Sequence, residues 1–93
     1  MVVHKITLST ALLEETHDIP ANSRFLDLQM QNGSLVAWYL TDPKQPMVPI
    51  TFLKIMTGEQ VPKYVSYKER YMGTVQVSHD WVIHVFWGDE LSK

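Results

Sequence analysis

The sequence contains no cysteine, which excludes disulfides, thiolate metal sites and thiol catalysis together. Small secreted domains lean on such staples, so an intracellular setting is the expectation. The four glycines, at 33, 58, 73 and 88, stand alone, and neither a phosphate-cradling P-loop nor a G-x-G-x-x-G turn is present. No apolar run is long: Leu35 to Leu40 falls far short of the ~20 residues a helix needs to cross a bilayer. Met1-Val2-Val3-His4-Lys5 lacks the apolar segment of a signal peptide. Neither sign of charge dominates, since 8 Lys and Arg stand against 10 Asp and Glu for a net charge of -2. That balance gives no global attraction to nucleic acid or to an anionic membrane. A soluble protein of the cytoplasm, with any anion site built locally, is expected.

What is present suffices for one fold. A chain of 93 residues buries about two-thirds of the surface its unfolded form exposes. No repeat, linker or low-complexity tract divides it, so residues 1–93 read as a single β domain. Hydrophobic residues at 45% and charged residues at 19% lie away from the composition of disorder. Val2, His4, Ile6 and Leu8 alternate with Val3, Lys5 and Thr7, the pattern of a half-buried strand. Thr10 to Thr16 is ambiguous. Ser9 or Thr10 could cap one helical turn, and Pro20 closes off anything longer, leaving a short extended piece that ends at Ile19.

The clearest local signal is Asn32-Gly33 between two apolar runs, because both central positions of a type I′ turn take positive φ, which Asn and Gly tolerate best. A two-residue loop places Gln31 opposite Ser34, Met30 opposite Leu35, Leu28 opposite Ala37 and Leu26 opposite Tyr39, a wholly apolar face. The other face carries Gln29, Asp27 and Phe25 against Val36, Trp38 and Leu40. Asp42-Pro43, Pro46 and Pro49 punctuate a turn-rich connection, and the next strand is expected from Ile50 to Met56. Gln60 to Tyr71 shows neither strand nor helix period and reads as a long loop. Tyr71 to Ser78 and Trp81 to Trp87 form a second hairpin around His79-Asp80, with Val77 opposite Val82, Val75 opposite His84 and Gly73 opposite Phe86.

The last strand is apolar on both faces. With Val75, Val77, Val82 and Phe86 turned to the core, Trp81, Ile83, Val85 and Trp87 are left opposite Thr74, Gln76 and Ser78, and such a strand needs cover on both sides. The expected architecture is mainly β, a compact antiparallel sandwich or small barrel of about five to six strands. Trp81, Ile83, Val85 and Trp87 are then the interface of a homo-oligomer, most simply a dimer. A closed barrel or two-layer sandwich, in which the N-terminal strand or the long loop covers that face, is the competing arrangement.

Candidate chemistry is sparse. His4, His17, His79 and His84 lack metal-ligand spacing, and no metal or cofactor is expected. No G-x-S-x-G elbow or triad context occurs, and the few carboxylates lie mostly in turns, so the chain is not expected to be an enzyme. His84, among Val82, Val75 and Phe86, is either a core histidine with satisfied nitrogens or the lining of a pocket. Lys63, Lys68 and Arg70 interleave with Tyr64, Tyr67 and Tyr71. Such a segment either offers cations to phosphate and aromatic faces to a base, or is a solvated loop whose tyrosines fold onto the sheet. The candidate ligand-binding set is Arg70 and Lys68 for phosphate, Tyr67 or Trp38 for stacking, and His84. The tryptophans are core or interface, or Trp38 with Trp81 or Trp87 walls a pocket.

Several stretches together carry a resemblance: Ile19-Pro20-Ala21-Asn22-Ser23-Arg24-Phe25-Leu26, Leu28-Gln29-Met30-Gln31-Asn32-Gly33, Trp38-Tyr39-Leu40-Thr41-Asp42-Pro43, Thr51-Phe52, Thr57-Gly58, Tyr71-Met72-Gly73-Thr74 and His84-Val85-Phe86. In order and spacing they resemble a family of small phage and prophage proteins of unknown function, over most of the chain. Extra residues between Pro62 and Tyr71 and a tail after Phe86 depart from that pattern. The resemblance brings no catalytic residues. It implies, by analogy with small phage proteins that counter host defence, a protein that sequesters a nucleotide-derived immune signal of cyclic nucleotide or cyclic ADP-ribose type. The alternative is a phage accessory protein that inhibits a host or phage protein through a hydrophobic patch around Trp81 and Trp87.

Overall fold

The computed structural model describes residues 1–65 and 70–88. Within them lie seven strands: β1 Val2–Leu8, β2 Glu14–Pro20, β3 Arg24–Gln31, β4 Ser34–Thr41, β5 Met47–Met56, β6 Tyr71–Ser78 and β7 Trp81–Gly88. They form two antiparallel sheets, one of three strands ordered β1-β4-β3 and one of four ordered β2-β5-β7-β6. β3 lies against β6 at one side of the pair. This is the expected sandwich, not closed into a barrel. The strand beyond the expected number is β2, and no helical turn precedes it. Its residues Glu14, Thr16 and Asp18 are exposed, as befits the edge of a sheet, and its apolar content is correspondingly thin. β5 starts earlier than Ile50, with Pro49 opposite Asp18 of that edge strand.

The first hairpin turns at Asn32 (φ 51) and Gly33 (φ 82), the left-handed pair a type I′ turn requires. The register runs as expected from Gln31↔Ser34 through Met30↔Leu35 to Leu28↔Ala37, and then shifts between Phe25 and Asp27. Phe25, not Leu26, faces Tyr39. Leu26 is pushed outward to 49% exposure, while the Phe25 ring enters the core against Phe52 and Trp87 at centroid separations of 5.3 and 4.6 Å. A larger aromatic surface buried in this way is worth more than the leucine it displaces.

The second hairpin departs further. Shifts between Tyr71 and Gly73 and between Gln76 and Ser78 place Val75 opposite Ile83, Thr74 opposite His84 and Tyr71 opposite Phe86. The faces of β7 are therefore reversed from expectation. Ile83 and Val85, at 2% and 0% exposure, lie in the core between the sheets with Leu8, Leu35, Tyr39 and Phe52, and Trp81 and Trp87 pack partly buried against it. Of the expected oligomer interface, Ile83 and Val85 thus lie on the inner face of one chain, covered by the three-stranded sheet, while Trp81 and Trp87 on the same face remain partly exposed. Phe86 turns the other way and joins Leu53, Ile55 and Val65 in a second cluster. There Val65, from the long connection, covers the sheet's outer face.

Candidate functional site

One cleft opens where β2 ends, β3 begins and β7 finishes. Asn22 takes positive φ (63) in the turn between β2 and β3, a conformation Asn adopts more readily than most residues. The turn is pinned by Ala21 N–H donating to Pro46 O at 2.8 Å, and by the Ser23 hydroxyl, 2.6 Å from Pro20 O and 2.7 Å from Thr41 Oγ1. Ile19, Pro20, Val48 and Ile50 give the cleft apolar walls, and Asn22 and Ser23 line its polar side. Arg70 and Trp87 complete a space of about 280 Å³. The Arg70 guanidinium carbon stands 5.5 Å from the Trp87 ring centroid, a cation–π placement. The Phe25 ring packs against the indole at a centroid separation of 4.6 Å and an interplanar angle of 60°.

A second polar node sits on the outer face of the four-stranded sheet. His84 Nε2 lies 2.8 Å from Thr57 Oγ1 and its Nδ1 lies 2.8 Å from Thr74 Oγ1, while the Tyr71 hydroxyl bonds the same Thr74 oxygen. The Thr57-Gly58, Gly73-Thr74 and His84-Val85-Phe86 segments, distant in sequence, meet here. The arrangement places a hydroxyl on each ring nitrogen, so either nitrogen can carry the proton. Among the described residues no carboxylate hydrogen-bonds the imidazole, which separates the node from a triad. Both nitrogens of the half-buried His84 are satisfied, and the ring also lines a cavity of about 220 Å³ with Thr57, Glu59 and Tyr71.

A third cluster is buried. Lys54 alternates with Ile50 and Phe52 on the inner face of β5 and is 3% exposed. Its ammonium donates to Leu12 O at 2.8 Å and to Glu15 Oε1. Glu15 also accepts from Ser9 N–H at 2.6 Å and lies 2.7 Å from His17 Nε2. Burial pushes the Glu15 carboxyl up, but its bonds to Lys54, His17 and Ser9 outweigh this and hold it below its ordinary range. The cluster ties the segment after β1 to β5 and uses its polar atoms internally.

Of the residues named from sequence, Arg70 lines the cleft, and its partner there is Trp87, which sequence reasoning had left open between core or interface and the wall of a pocket. Trp38 lies elsewhere: it pairs with Lys5 and Asp27 in the three-stranded sheet, on the face opposite Ala37 and Tyr39. His84 lies on the outer face of the other sheet. The described residues thus leave Trp38, His84 and Arg70 in three separate places. Tyr67 and Lys68 lie outside the described residues. Sequence reasoning missed Asn22, Ser23, Glu15 and Lys54. A readable signal existed for Lys54 alone, as a single cation on the inward beat of an apolar strand. Among the described residues no group of three His, Asp or Glu side chains is placed to hold a metal ion.

No curated protein and no solved structure matches this chain. A family match covers residues 1–92, nearly the whole sandwich with its cleft and its histidine node, and by it the chain belongs to the DUF7352 family, a domain of unknown function.

Proposed function

We propose that this domain is a non-enzymatic binding protein for a small nucleotide-derived anion, held in the cleft between Arg70, Trp87 and the β2–β3 turn. The observation that carries this reading is the Arg70 guanidinium 5.5 Å over Trp87 in a cleft that also presents Asn22 and Ser23. A guanidinium gives phosphate paired N–H donors, and its flat face, like an indole, stacks on a base. The volume of about 280 Å³ is near the lower limit of roughly 300 Å³ for small-molecule sites, enough for one nucleotide unit. The resemblance to small phage and prophage proteins supports a sharper form: an anti-defence protein that sequesters a host immune signal of cyclic nucleotide or cyclic ADP-ribose type in the host cytoplasm. Calorimetric titration with cyclic dinucleotides and ADP-ribose derivatives tests it. Binding is expected, weakened about tenfold or more by Arg70→Ala, since a hydrogen bond to a charged group is worth roughly 1.5–3 kcal/mol. Heat from none of these ligands, or full affinity in Arg70→Ala, overturns the reading.

A further inference from the structure

We infer that the site continues past Trp87 to Arg24, so that its ligand carries two phosphate groups, one for each arginine; this rests on the Arg70–Trp87 reading. Trp87 also lines a second, smaller cavity of about 130 Å³, whose walls include Arg24, Asp27, Tyr71 and Met72. Trp87 lines both cavities, so the two spaces meet at the indole. The smaller one sits where β3 shifts, with Arg24, Phe25 and Leu26 on one wall and Tyr71 and Met72, at the start of β6, on the other.

The charges in that cavity are divided. Among the described residues Arg24 has no carboxylate partner. Asp27, the one carboxylate among the described residues that line it, is engaged along its own strand, accepting from Leu28 N–H at 2.9 Å and from the Gln29 amide at 2.6 Å. The space is too small for a base but suits a compact, hydrated anion, and a guanidinium is the side chain best matched to phosphate. A ligand reaching both arginines gains the second contact as an intramolecular event, which raises affinity beyond that of either contact alone. Cyclic dinucleotides and ADP-ribose share this feature of two phosphates bearing on one short span, whereas AMP has one.

The full chain is titrated by calorimetry with AMP, ADP-ribose and cyclic di-AMP, as wild type, Arg24→Ala, Arg24→Lys and Arg70→Ala, with circular dichroism confirming that each variant folds. At least one two-phosphate ligand is expected to bind about tenfold or more tighter than AMP. Arg24→Ala should remove that advantage while leaving AMP unchanged, and Arg24→Lys should restore part of it. Arg70→Ala should weaken all binding. A two-phosphate ligand whose affinity survives Arg24→Ala but falls in Arg70→Ala overturns the second subsite and leaves the first reading standing. Binding by none of the three, or binding indifferent to Arg70→Ala, overturns both.

Discussion

Lys54 is a cation surrounded by apolar side chains, and its retention depends on Glu15. Both partners are largely buried, with side-chain exposures of 3% and 11%. Removing the carboxylate therefore strands a charge, and Glu15→Ala should cost about 3–5 kcal/mol, read as a lower urea midpoint. The pH dependence has a definite sign. The folded carboxyl titrates below its ordinary value, so the unfolded chain takes up the proton first as acid is added. The contribution is complete above the unfolded carboxylate's range and is lost as pH falls through the folded value. Between about pH 5 and pH 3, wild type should lose more stability than Glu15→Gln, which has no such proton to gain. An equal loss in both removes Glu15 from the acid response. At this scale the sequence spoke unevenly. The inward place of Lys54 was there to be read in its alternation with Ile50 and Phe52, though it was missed, but Glu15 is brought to it only by the pairing of β2 with β5, which no local pattern announces. Trp87 was visible as a stacking side chain, whereas its meeting with Arg70 depends on the direction β7 faces.

Between the two hairpins, legibility followed the locality of the signal. Asn32-Gly33 fixes its own turn, and the register adjacent to it came out as the turn chemistry required. Beyond Leu28 that register yields to packing from the other sheet, because Phe52 and Trp87 draw Phe25 inward. In β6 the two register shifts likewise depend on what lies across the sandwich, so a count from the His79-Asp80 turn put the wrong face of β7 inside. β2 was legible only as a short extended piece ending at Ile19, for a different reason: an edge strand with Glu14, Asp18 and Pro20 carries little of the alternation that marks a strand. The shift at Leu26 is open to direct test. Deleting Leu26 removes the extra residue and leaves Phe25 opposite Tyr39, still facing Phe52 and Trp87, so the deletion should cost much less than Phe25→Ala, which should lose about 3–5 kcal/mol, the cost typical of removing a buried phenylalanine. Comparable losses in chemical denaturation would mean that the extra residue, and not only the Phe25 ring, holds the strand in place.

Taken whole, the molecule buries both Ile83 and Val85 of strand β7 under the three-stranded sheet and Phe86 of its other face against Leu53, Ile55 and Val65. A charge at Ile83, which is 2% exposed, has nowhere to go. Ile83→Asp should therefore abolish cooperative unfolding in circular dichroism, since burying an unpaired carboxylate costs several kcal/mol against a total stability of roughly 5–15 kcal/mol. A folded Ile83→Asp protein with a changed mass by light scattering would restore the interface reading. The order β2-β5-β7-β6 has a bearing on time as well as on shape. The β3–β4 ladder closes across two residues, but Glu14 must find Leu53 with a whole hairpin of intervening chain, and β5 must find β7 across the long connection. Closing such loops costs entropy before any contact offsets it, so assembly of the four-stranded sheet should limit the refolding rate to the milliseconds-to-seconds range of non-local β topologies. Gly33→Ala, which strains a hairpin already closed before that step, would then slow refolding with little effect on unfolding, and so would substitutions that weaken a β2–β5 pairing formed in it.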